Sequence, residues 1–138
     1  MPSVDPAEEL LRRVFAFCIK PDNTVSSSAF KTKGRPAENC SVYRRSLKAP
    51  EEVIATKEHQ HFSVAGFLAS SVTVVSDELV AETGAGALTL TCGDDPTDDA
   101  HCSIAGLTKV ACKRLADKAY PVLVTKVVPR SDDAESPG

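Results

Sequence analysis

The chain predicts one α+β domain, a small antiparallel or mixed sheet with two or three helices packed on it. Three observations carry that prediction. Short apolar runs with strand-like alternation are interleaved with segments of helical spacing, the pattern expected of helices laid on a sheet. At 138 residues, 42% of them apolar, the chain is long enough to bury a real core without staples. After Pro129 the composition turns to Ser, Asp, Glu, Pro and Gly, so the domain is placed at residues 4–128 and a disordered tail at 129–138.

The elements follow in order. Residues 6–18 read as a helix: Asp5 suits the N-cap, Pro6 the first helical position and Glu8 the capping-box partner. Leu10, Leu11, Val14, Phe15 and Cys18 then form one apolar stripe, with Arg12 and Arg13 on the other side, and Pro21-Asp22-Asn23 ends the element. Beyond the run Ser26-Ser27-Ser28 and the breaker Gly34-Arg35-Pro36, Cys40 to Leu47 reads as a strand. Pro50-Glu51-Glu52 opens a short helix to about Lys57, its acids well placed on the helix dipole. Phe62 to Leu68 reads as a strand and Val72 to Val75 as another, with Ser76 capping a short helix that runs through Val80 and stops at Gly84. Leu88 to Cys92 alternates cleanly, and Cys102 to Ala105 follows a polar loop. Thr108 caps a helix whose stripe includes Val110, Ala111, Leu115 and Ala119, and Val122 to Val128 reads as the last strand.

Composition removes several function classes. A net charge of −3 offers no overall attraction to nucleic acid or membrane, so an anion site has to be a local patch. Aromatics make up only 5% of the chain, with no Trp, which argues against the stacking platforms of single-strand nucleic-acid binders. The start Met1-Pro2-Ser3-Val4-Asp5 lacks a signal peptide's basic region, and no apolar run reaches membrane-spanning length. Five cysteines, odd in number and without Cys-x-x-Cys, suit reduced and mostly buried thiols. The expected location is the cytoplasm.

Two histidine patterns carry the sharpest chemistry. His61-Phe62-Ser63-Val64 and His101-Cys102-Ser103-Ile104 each read His, apolar, Ser, apolar. On an extended strand this places an imidazole and a hydroxyl on one face and the apolar pair on the other. The repeated pattern resembles the signature of the two-histidine phosphoesterases. The resemblance implies His61 and His101 as an acid–base pair, with Ser63 and Ser103 holding the phosphate of an RNA end or cyclic nucleotide. It covers eight residues, and the forty-residue spacing is closer than that family's two-lobed fold normally allows. A second resemblance, carried by Ser27 to Phe30, Ser41 to Arg44 and His101 to Gly106, is to small uncharacterised bacterial proteins. It implies a recurrent fold of this size, a bacterial source and no known activity, and it favours His101, Arg44 and the serine run.

Other constellations carry less. His59, His61, Cys92, His101, Cys102 and Cys112 are the soft metal ligands, but their spacing does not match a zinc module. Asp94, Asp95, Asp98 and Asp99 sit in one loop without the EF-hand's glycine and terminal glutamate. No metal or cofactor is expected. The strongest local electrostatic signal is Lys31, Lys33, Arg35, Arg44, Arg45 and Lys48, opposed only by Glu38. The leading expectation is therefore an accessory or interaction domain that binds through this basic segment. Its partner is expected to be a protein, with a phosphate-bearing ligand or RNA as the alternative and no membrane. The phosphoesterase is the competing reading.

Overall fold

A computed structural model describes residues 5–30, 40–55, 62–85, 87–93 and 95–125. Its strands are β1 (Glu9–Val14), β2 (Cys40–Arg44), β3 (Ser63–Leu68), β4 (Thr89–Cys92), β5 (His101–Ala105) and β6 (Tyr120–Leu123). Its helices are α1 (Pro50–Val53), α2 (Ala69–Thr83) and α3 (Lys109–Lys118), with two 3-10 turns at Ala16–Cys18 and Ser27–Phe30. The strands form one six-stranded sheet in the order β4-β5-β2-β1-β3-β6, antiparallel at every pairing. This is the α+β class expected, resolved in favour of the antiparallel sheet.

The expected helix over residues 6–18 is instead the central strand β1 followed by a 3-10 turn. The capping signals are spent on a turn: Ala7 N donates to Asp5 Oδ1 at 2.8 Å and Glu8 N to Asp5 O at 2.8 Å. A stripe such as Leu10/Val14 fits either periodicity over so few residues. The tertiary context decides, because β1 pairs with β2 on one edge and β3 on the other, while apolar side chains from the helices cover both of its faces. Leu10 and Leu11 are consequently both fully buried although they point to opposite faces. Arg12 and Arg13 also part company. Arg12 donates to the carbonyls of Ala29 at 3.0 Å and Ser41 at 2.8 Å, while Arg13 donates to that of Val53 at 3.3 Å.

A second correction concerns Val72 to Val75, which lie inside α2 rather than in a strand. The β-branched run suggests extended chain, but Val72, Val75 and Leu79 recur at helical spacing and are buried on one face. The stop is where expected: Gly84 takes φ of 74° and donates its N–H to Val80 O. Thr108 caps α3 as expected, accepting from Ala111 N at 3.2 Å. The polar sides of α2 and α3 are joined by Arg114, which meets Glu82 at 2.8 Å and Glu78 at 3.5 Å. Strand β2 stops at Arg44 and α1 at Val53, while Lys57, Gly86, Asp94 and positions 126–138 lie outside the described residues.

The sheet has two unlike faces. One carries Leu10, Val42, Phe67 and Ile104 under α2 and α3, with Phe30 meeting Phe67 edge-on at 5.3 Å. On the other, α1 packs against β1 and β6 and covers Leu11 and Val64 with Val53 and Ile54. The β5–β2–β4 part of that second face holds polar side chains instead.

The cysteine expectation needs one correction. Cys92 and Cys102 form a disulfide across β4 and β5, while Cys18, Cys40 and Cys112 are buried thiols as anticipated. Gly93 N donates to His101 O, which makes Cys92/Cys102 a non-hydrogen-bonded pair of the ladder. At such positions the facing Cα atoms come closest, here 4.0 Å, so the two sulfurs meet. Burial pushes the Cys40 thiol up to about 11, against opposing help from Arg12, and keeps it protonated.

Candidate functional site

The serines of the two histidine patterns do not come together as the phosphoesterase resemblance requires. Ser63 pairs with Val14 and shares a face with Ala65 and Phe67, the helix-covered face. Ser103 pairs with Ser41 and Thr91 on the opposite face. Strands β3 and β5 are also separated by β1 and β2, about 14 Å at the usual interstrand spacing. Ser63 is fully buried and its hydroxyl accepts from Thr125 N at 3.0 Å, a structural task. His61 and His59 lie outside the described residues.

His101 finds a different serine. Arg44 N donates to Ala100 O at 2.9 Å, which fixes Arg44/Ala100 as a hydrogen-bonded position of the β2–β5 ladder. Tyr43/His101 and Ser41/Ser103 are therefore the intervening, closely spaced pairs on the polar face. The Tyr43 ring meets the imidazole edge-on at 5.5 Å. Held by that contact, His101 leans along the diagonal so that Nε2 lies 3.1 Å from Ser41 Oγ. Ser41 is steadied from behind, because its carbonyl accepts from the Arg12 guanidinium on the other face. Ser103, 7% exposed, and the half-buried Thr91 extend the row of hydroxyls across β5 and β4.

The same corner uses up cations. Lys48 reaches Asp98 at 2.6 Å and sits 4.7 Å above the Tyr43 ring. The hydrogen bond from Lys48 holds the Asp98 carboxyl below its usual range, against a desolvation that works the other way. Arg44 pairs with Glu8 at 3.2 Å and Arg45 with Glu9 at 2.8 Å. Arg44 Nε is buried without a hydrogen-bond partner, a cost its ion pair has to offset. Lys31, Lys33 and Arg35 lie outside the described residues. Each described member of the basic segment thus faces a carboxylate, so its charge is locally balanced. The aspartate loop serves the hairpin: Asp98 O accepts from His101 N and Asp95 Oδ1 from Thr97 N. Among the described residues no three His, Cys, Asp or Glu side chains converge on a metal-sized space.

One surface feature was missed from sequence. Phe15 and Phe17 stack at 5.4 Å, 9° from parallel, and Phe62 joins Phe15 at 4.9 Å. Phe17 is 70% exposed and Phe15 49%. Arg13 lies 5.8 Å from the Phe62 ring centre, a cation–π contact that closes one side of the cluster. The signal was Phe15-x-Phe17: once residues 9–14 are a strand, Phe15 leaves the helical stripe to which it was assigned. A chain poor in aromatics thus places three of its seven in one surface cluster.

Comparison with protein-family models, curated proteins and solved structures finds no match. Any functional reading therefore stands on this chain's own residues. Among the described residues no helix is long and apolar enough to cross a membrane.

Proposed function

We propose that the chain is a small interaction domain that docks another protein on the phenylalanine cluster. The observation that carries this reading is the exposure of Phe15 and Phe17 as a stacked pair. A Phe side chain brings roughly 150–250 Å² to an interface at little entropic cost, and exposed apolar groups clustered beside a guanidinium suit the centre of a protein contact. A protein is favoured over a phosphate-bearing ligand or RNA because Arg44, Arg45 and Lys48 already face carboxylates. Arg44 and Arg45 stand beside the first residues of β1, at the other end of that strand from the cluster. A cytoplasmic location rests on the three buried thiols Cys18, Cys40 and Cys112, while the Cys92–Cys102 disulfide counts against it, since such bonds persist mainly in oxidising compartments. The bacterial source rests on the motif resemblance.

The test compares proteins retained by the immobilised full chain with those retained by Phe15→Ser/Phe17→Ser and by Arg45→Gln/Lys48→Gln. At least one protein should be enriched on the unaltered chain and lost on the phenylalanine variant while persisting on the charge variant. If no retained protein depends on the two phenylalanines, the docking surface is elsewhere and the proposal fails.

A further inference from the structure

We propose that Ser41 is a nucleophile activated by His101, and that the polar part of the second sheet face takes a carboxylic ester and is acylated at Ser41 Oγ. This goes beyond docking, since it concerns other residues, on β2 and β5, and a covalent step. Four observations converge. Ser41 Oγ and His101 Nε2 are 3.1 Å apart, within reach for proton transfer between a hydroxyl and a base. The imidazole is oriented by a third group, the edge of Tyr43. The Ser41 backbone is anchored by Arg12, so nucleophile and base are both held on rigid strands rather than on a loop. Ser41, Tyr43 and His101 are half-buried, leaving part of each open to solvent. The apolar side chains of β2 and β5 (Cys40, Val42, Cys102 and Ile104) point to the opposite face, so beside Tyr43, which packs against the Leu11 cluster, this part of the face is left to hydroxyls and the imidazole.

The chemistry balances without any further reagent. With its ring proton on Nδ1, His101 takes the Ser41 hydroxyl proton on Nε2 as Oγ bonds to the ester carbonyl carbon. The bond from that carbon to the alkoxide oxygen then breaks, and His101 returns the proton so that an alcohol leaves. Water repeats the sequence on the acyl-serine: His101 takes its proton, the Ser41–acyl bond breaks, and a carboxylic acid is released with Ser41 restored. Ser103, directly opposite Ser41 in the ladder, is the nearest further hydroxyl by register.

The full chain is incubated with a fluorophosphonate probe, and the label is mapped by peptide mass spectrometry. Turnover of p-nitrophenyl acetate is followed in parallel. One label per chain on Ser41 is expected, slowed about 100-fold in His101→Gln, the scale at which a positioned base acts. Ser41→Ala should lose the label while melting as the unaltered chain does. A chain that is not labelled at Ser41, or a His101→Gln chain labelled at the unaltered rate, overturns the proposal.

Discussion

Cutting the Cys92–Cys102 bond gives a stability loss whose size follows from the sequence separation of ten it closes. In the chain-entropy account, the link removes about 9 cal/mol/K from the unfolded ensemble for a loop of this length. At 25 °C that is about 2.7 kcal/mol, and with a urea slope of roughly 1.5 kcal/mol per molar the unfolding midpoint should fall by about 1.8 M. The native contacts are not expected to change much, because the ladder already holds the two strands in register and Cys102 is fully buried. The assay is equilibrium urea unfolding with and without a phosphine reductant, followed by circular dichroism. Thiol titration in denaturant establishes the redox state: three thiols without reductant and all five of the chain's cysteines with it. If five are counted and the midpoint moves by less than about 0.3 M, constraint of the unfolded chain is not what this bond contributes.

Gly106→Ala should cost about 2 kcal/mol or more, since φ is +91° there and a Cβ would stand 2.6 Å from the Ala87 carbonyl oxygen; an unchanged urea midpoint would refute it. Phe67→Ala should cost about 3–5 kcal/mol by emptying the space against Phe30, whereas Phe17→Ser on the surface should stay within about 0.5 kcal/mol. Equal losses for the two would mean the surface cluster is part of the core. Burial, then the hydrogen bond to Glu9, raises the Tyr120 phenol from 10.0 to about 12. The folded chain keeps this proton where the unfolded chain gives it up, so stability should fall as pH rises from about 10 towards 12. Melting temperatures of Tyr120→Phe across that range should decline less steeply than those of the unaltered chain. Parallel curves would show that this phenol is not the group responsible.

The elements whose signals are local were legible in the residues themselves. Thr108 announced α3 because a cap is a contact between near neighbours, and Gly84 ended α2 because only a residue free to take positive φ fits there. The alternation of Leu88 to Cys92 likewise marked a strand, found at Thr89–Cys92. Residues 9–14 misled for the opposite reason. Three apolar residues in a stretch of six, Leu10, Leu11 and Val14, are too few to fix a periodicity, and neighbours from positions 40–44 and 63–68 decided it. The expected meeting of Ser63 and Ser103 misled in the same way. Local spacing correctly put the imidazole and the hydroxyl of one strand on one face, but it carried no information about which face of the sheet that was.

Composition and periodicity alone thus determined an α+β domain with helices on a sheet, several of its boundaries, and a set of imidazoles, hydroxyls and cations capable of chemistry. Tertiary structure decided which of them meet. Register across β2 and β5 brought His101 to Ser41, the two faces of the sheet parted Ser63 from Ser103, and carboxylates from β1 and its approach neutralised Arg44 and Arg45. Pairing between strands joins residues dozens of positions apart, and its register depends on all the neighbours at once, so no short stretch of the chain encodes it.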